Sequence, residues 1–157
     1  MPEFGPKIAL IRFQNKFVPE IPEPLNAFFI ARSNKLHNSA AGVSSWVGSR
    51  ELDWVGGPGA MEPIQIGSAL VAFKQLENQL SVVFVGKGQQ LHVTWRGRGF
   101  DKFNNPTPMV AHHEFAPPGS SLAAGRLPPD LWFVLFVDGQ GAINSLRASG
   151  HHNWQGP

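Results

Sequence analysis

The chain of 157 residues contains no cysteine, so no disulfide framework staples it, no thiolate chemistry is open to it, and the redox compartment stays open. Charge is scarce too. Lys, Arg, Asp and Glu make up 15% of the residues, well below the usual share of about a quarter. A formal net charge of +2, with no long basic run, gives no field with which to hold nucleic acid. No apolar stretch approaches the roughly 18 residues of a membrane span. The opening "MPEFGPKIAL" lacks the charged leader and long apolar run of a signal peptide. No segment sustains a 3.6-residue apolar period with caps, so helix is a minor component. One soluble domain is expected, long enough to bury a real core.

What the chain has in quantity is turn residues, with 17 Gly and 14 Pro, which suits a turn-dense all-β fold. It also repeats itself. "VVFVGKGQQLHVTW" at 82–95 returns as "VLFVDGQGAINSLR" at 134–147, so that Phe84 aligns with Phe136 and Leu91 with Ile143. At the same offset "GSALVAF" answers "GSSLAAG", and within one residue of it "FNNP" answers "WQGP". A first copy is visible in "KIALIRF", "AFFIARSNKLHN" and "DWVGGP", with Phe29 and Leu36 at the hairpin positions; its first connection, "QNKFVPEIPEPLN", is longer. The chain is three copies of one unit, at approximately 6–58, 59–106 and 107–157.

Each unit reads as four short strands, the last a weak one near the aromatic that precedes "xxP". The second strand carries an apolar run, which suggests burial on both faces, and the third alternates. Two architectures use such units. A β-trefoil closes three of them on one another, and 157 residues is the expected size for it. A β-propeller makes each unit a blade and normally needs at least four to close its ring.

The residues favour the propeller. The unit 117–157 resembles the blade repeat of the Photorhabdus-type and related fucose-specific seven-bladed β-propeller lectins, through Pro117, Pro118, Gly119, Phe136, Val137, Asp138, Gly139, Ile143, Trp154, Gly156 and Pro157. Phe84, Val85, Gly86, Leu91, Trp95 and Pro106 carry the pattern in the second copy, and Phe29, Leu36, Trp54, Gly57 and Pro58 in the first. The copies are degenerate: Arg147 stands where the third-strand Trp belongs, and Phe103 replaces the closing Trp. The resemblance implies a propeller-like chain of three four-stranded blades. Three blades leave two open flanks, so copies must associate into a closed homo-oligomer, and two chains would supply six blades. A fragment of a longer propeller is the other way to account for three blades.

No enzymatic constellation stands out. The 11 carboxylates are scattered. Glu51 and Asp53 form the one close pair, best read as solvated loop charges. His112–His113 and His151–His152 place adjacent rings on opposite faces of a strand, so neither pair chelates a metal by itself, and loop polarity explains them more cheaply than a site with Glu114. "GKGQQ" lacks the Gly-Lys-Ser/Thr ending of a phosphate loop and is a hairpin turn. Neither a metal nor a cofactor is expected.

What remains is a binding surface. Sugars offer apolar C–H faces and hydroxyls, which call for an aromatic platform beside a few planar donors and acceptors. By resemblance, with sugar pockets lying between blades, the candidates are Trp46, Trp54, Trp95, Trp154, His92, Arg96, Asn144 and His152, with Arg98 nearby. For Trp54, Phe103 and Trp154 packing between sheets is the stronger reading, and Trp132 belongs at a blade interface. Equivalent positions differ between copies (His37, His92, Asn144; Ala40, Trp95, Arg147), so one competent pocket per chain, or none, is expected. The expected function is non-catalytic binding of fucose- or galactose-type glycans. The alternative is a protein-interaction module whose aromatics are structural.

Overall fold

The computed structural model describes residues 8–57, 64, 67–86, 88–109, 116–117, 119–150 and 153–156, and every regular element among them is a β-strand. The first sheet runs in chain order through β1 (Ile8–Arg12), β2 (Leu25–Ile30), β3 (Leu36–Ala41) and β4 (Trp46–Glu51), all antiparallel. The second repeats this with β5 (Leu70–Leu76), β6 (Gln79–Val85), β7 (Leu91–Gly97) and β8 (Thr107–Pro108). The third holds β9 (Leu122–Leu127), β10 (Leu131–Val137) and β11 (Ile143–Ser149), and a bridge from Arg147 to Gln155 stands in the place of a fourth strand.

The weak fourth strands differ from expectation. In the first sheet the strand precedes Trp54, and in the second it follows Pro106. The reason is that the closing aromatics turn inward: Trp54, Phe103 and Trp154 are all buried, and Trp54 bridges Phe103 in the next unit. Burying a large ring outweighs extending an edge ladder by one or two bonds.

The hairpin turns follow from local chemistry. Between β6 and β7, Gly88 and Gln89 take positive φ angles of 85° and 64°, which a glycine supplies without strain. Between β10 and β11, Asp138 accepts the backbone N–H groups of Gln140 at 2.8 Å and Ala142 at 2.9 Å, fixing the turn that Gly141 (φ 83°) completes.

The sheets follow one another face to face, with β1 packed on β5 and β5 on β9. Among the described residues the sheets succeed one another without sheet one packing on sheet three as a trefoil would require, and the architecture is a partial propeller. Two cores result. One joins Phe28, Leu36 and Phe13 to Leu80, Val82 and Phe84; the other joins Val83, Val85 and Val93 to Trp132, Val134 and Phe136. The middle sheet has a neighbour on each side, so β6 is buried at every position: Val82, Val83, Phe84 and Val85 are apolar, and the buried Gln79 and Ser81 are hydrogen-bonded to Gln75. β10 is fully buried only at alternate positions, because among the described residues no sheet packs on its other face.

Candidate functional site

A cavity of about 330 Å³ lies in the seam between sheets one and two. The long connection between β1 and β2, found in the first copy only, builds one wall. It begins with an asparagine cluster. Asn15 donates to Asn26 Oδ1 at 2.6 Å and to Asn38 Oδ1 at 2.9 Å, while Asn26 donates to the carbonyls of Phe13 and Pro24. These bonds satisfy polar groups that would otherwise be costly to bury, and they fix where the connection leaves the sheet. Lys74 of sheet two holds its far end through Glu23 at 2.9 Å. That hydrogen bond also keeps the Glu23 carboxyl below its ordinary range.

Arg96 enters from β7 and is 7% exposed. Its guanidinium lies 5.3 Å from the Phe13 ring centre and 5.4 Å from that of Phe103, and it donates to the carbonyls of Phe100 and Gln14. Burial pulls its pKa down from the ordinary value, and the charge of Asp101 opposes that shift. Rings and carbonyls thus replace the lost water, and sheet two is stitched to the chain leaving β1. Nε has no hydrogen-bond partner among the described residues.

Above this floor, Phe17 offers a part-exposed ring with the Arg50 guanidinium stacked 4.3 Å from its centre. Lys16 reaches Asp101 at 3.5 Å and Asp53 at 3.9 Å, spanning the mouth from one sheet to the other. Glu51 also lines the cavity and pairs with Lys35 at 2.8 Å. The result is an aromatic platform ringed by cations, amides and carboxylates. An adjoining hollow of about 230 Å³ shares Glu51 and Asp53 and reaches Trp54.

Of the residues singled out by sequence, Arg96 and Trp54 border these two cavities, as do Phe103 and the carboxylate pair Glu51 and Asp53. The others are dispersed. Trp154 is buried in the seam between sheets two and three, meeting Phe73 edge-on at 6.2 Å. Trp132 stacks on the same Phe73 at 5.7 Å. Trp95 packs part-buried against this cluster. His92 stacks on Phe84 at 5.9 Å, its ring covering Gly86 so closely that an added Cβ would stand 2.4 Å from Nδ1. Asn144 donates to Asp138 Oδ2 at 2.8 Å and so belongs to the turn. Trp46 is 49% exposed on the outer face of sheet one, and Arg98 lies beyond β7. His152, together with His112, His113, Glu114 and His151, lies outside the described residues.

Sequence reasoning missed Asn15, Phe17, Asn38 and Arg50. Two signals pointed to them: the connection that the other copies lack, and Asn26 inside the otherwise apolar "LNAFFI", where a buried amide needs polar company.

No family model and no curated protein matches the chain. Solved structures do. The BP39L lectin from Burkholderia pseudomallei superposes with a TM-score of 0.75 at 26% identity, covering 96% of this chain and 40% of its own. The fungal lectin of Aleuria aurantia, a six-bladed β-propeller that recognises fucose, gives 0.66 at 12% identity over 99% of this chain and 46% of its own. A fucose lectin from Kordia zhangzhouensis gives 0.53 at 8% identity, covering 96% of both chains. The chain spans less than half the length of the first two. The fold it shares with these lectins is the β-propeller.

Proposed function

We propose that the protein is a non-catalytic lectin for fucose- or galactose-type glycans, and that the cavity between sheets one and two is its competent pocket. The observation that carries this reading is the lining of that cavity. Each sugar hydroxyl both donates and accepts, so a neutral saccharide is matched by alternating donors and acceptors beside an apolar plane. Arg50, Lys16 and Asn15 stand next to Asp53 and Asp101, and Phe17 supplies the plane. The three cations of the lining balance its three carboxylates, which suits a neutral ligand. Asp53 and Asp101 are paired with Lys16, which suits acceptors better than a working acid. The Aleuria lectin, seen with Fucα1-6GlcNAc and with α-methyl-L-fucoside, and the Kordia lectin, seen with methyl-fucoside, make fucose the first sugar to try. The "WQGP" signature supports a repeat of the Photorhabdus type.

Two copies would complete a ring of six sheets, the blade number of the Aleuria lectin. Calorimetric titration with methyl-α-L-fucoside and methyl galactoside tests the pocket. Phe17→Ala or Arg50→Ala should weaken binding about tenfold, equivalent to about 1.4 kcal/mol, with the melting temperature unchanged. Unaltered affinity in both variants rules out this pocket. Absence of binding at millimolar sugar rules out the lectin and leaves a protein-interaction module.

A further inference from the structure

We infer that Asn26, which is buried and is not among the residues lining the cavity, positions Phe17 as the platform of the pocket. The inference rests on the sugar-binding reading above and adds to it the means by which the platform is aimed.

Phe17 belongs to no strand. It lies in the connection 13–24, and a ring on a loop is a good platform only if the loop is already held, because ordering it on binding would cost affinity. Asn26 closes the neck of that loop. Its Nδ2 donates to the carbonyl of Phe13 at 2.8 Å and to that of Pro24 at 2.9 Å, beside the backbone bond from the Phe13 N–H to the Pro24 carbonyl at 3.2 Å. Its Oδ1 accepts from Asn15 at 2.6 Å. Asn15 donates its other N–H to Asn38 Oδ1 at 2.9 Å and accepts the Phe17 N–H on Oδ1 at 3.0 Å, while its carbonyl accepts the Val18 N–H at 3.2 Å. Neither Asn15 nor Asn26 can turn its amide over without setting donor against donor or acceptor against acceptor. Two hydrogen bonds thus carry the geometry of the neck to the backbone of Phe17. The result is a divided turn. Val18 is buried, with Cγ1 3.6 Å from where a Cβ on Gly42 would stand, and Phe17 stays part-exposed at the cavity beneath the Arg50 guanidinium.

The other two copies supply the contrast. In the repeat alignment Asn26 corresponds to Ser81 and Phe133, and Asn38 to Val93 and Ser145. Those copies join their first two strands by short turns, after Leu76 and after Leu127, and have no loop to hold. The amides and the long connection occur together, in the first copy. An amide on a buried strand face is costly unless it is partnered, so its presence calls for a structure that uses it. Closing the neck accounts for the bonds to Phe13 and Pro24. It does not call for the further acceptor that Asn15 presents to Phe17, which acts beyond the neck and next to the cavity. A fully satisfied amide network is rigid, and here its rigidity is delivered to one ring.

The test is a double-substitution cycle read by calorimetry with methyl-α-L-fucoside, with the proton resonances of Arg50 as a second readout. Asn26→Ser keeps a small polar group but cannot span both carbonyls and Asn15. It should weaken binding about fivefold, and added to Phe17→Ala it should weaken binding no further than Phe17→Ala does alone. In wild type the Phe17 ring, 4.3 Å from the Arg50 guanidinium, should displace the Arg50 δ protons upfield. In Asn26→Ser that displacement should collapse while the resonances of Val134 and Ala148 in the second seam hold. Losses that multiply to about fiftyfold in the double variant, or an unmoved Arg50 displacement, overturn the proposal. Should Asn26→Ser not fold, Asn15→Ala, which breaks the relay and leaves both neck bonds, must give the same two results; wild-type affinity and Arg50 shifts in that variant overturn the proposal. Wild-type binding by Phe17→Ala sinks the pocket reading and the role of Asn26 with it. Wild-type binding by Asn26→Ser beside a weakened Phe17→Ala sinks this inference alone.

Discussion

The two seams inside the chain are made by the same repeat, yet one is hollow and polar and the other is filled with aromatic rings. In the first seam Arg96 occupies the place that Ala148 takes in the second, and the asparagine cluster lies where sheet two offers Ser81 and Val93. In the second, Phe73 gathers Trp132 and Trp154, and a buried network of Gln75, Gln79 and Ser81 closes one end, with Gln75 donating to the carbonyl of Gly150 at 2.8 Å. A seam becomes a pocket when a long polar side chain and an added loop hold its walls apart. It becomes structural cement when rings fill the same gap.

The largest test of that contrast is Trp132→Ala. It should cost about 3–5 kcal/mol of stability, read from urea unfolding, because stacking on Phe73 and packing across the seam are lost together. Methyl-α-L-fucoside affinity should not change; a fall would show that the filled seam also binds. Next comes Arg96→Met, which leaves the carbonyls of Phe100 and Gln14 without their charged donor. A loss of about 2–3 kcal/mol is expected, together with weaker sugar binding, since the floor of the cavity moves. Stability and affinity falling together at Arg96, but separately at Trp132 and Arg50, is what the comparison requires.

The smallest effect concerns a turn outside both seams. The Asp138 carboxyl is held below its ordinary range by the N–H of Ala142 first, then that of Gln140, with the Asn144 amide adding to them. A depressed carboxylate stabilises the fold fully above the unfolded aspartate value of about 3.9 and loses that contribution as pH falls through the lower folded value. The amide resonances of Gln140 and Ala142 should therefore shift below about pH 4. Resonances from either seam should stay in place, and movement there would mean that the turn and the seams are coupled.

Much of the fold could be read from the repeat. Aligning Phe29, Phe84 and Phe136 located the hairpins, because a turn with glycine or asparagine between apolar runs has few alternatives. The apolar run Val82, Val83, Phe84 and Val85 in β6 announced a strand covered on both sides. The fourth strands of the first two sheets were misplaced because their position depends on where the closing aromatic is buried, and that is decided by the neighbouring sheet. The pocket was harder still. Arg96 was chosen for its chemistry, but Phe17 and Arg50 come from segments that have no counterpart in the other copies, and a repeat alignment is blind to what occurs once. Trp54 and Trp154 were sugar candidates for which packing between sheets was the stronger reading, and both are buried among neighbouring rings. Composition cannot tell a ring that faces a ligand from one that faces its own sheet.

The contact from Arg96 to the carbonyl of Gln14 joins segments 82 positions apart. One guanidinium is both rivet and floorboard. Genetic drift at that codon is punished twice, while substitution at Trp132 is punished once. Selection for a new specificity is therefore free to explore the rim residues and has to leave the rivet alone.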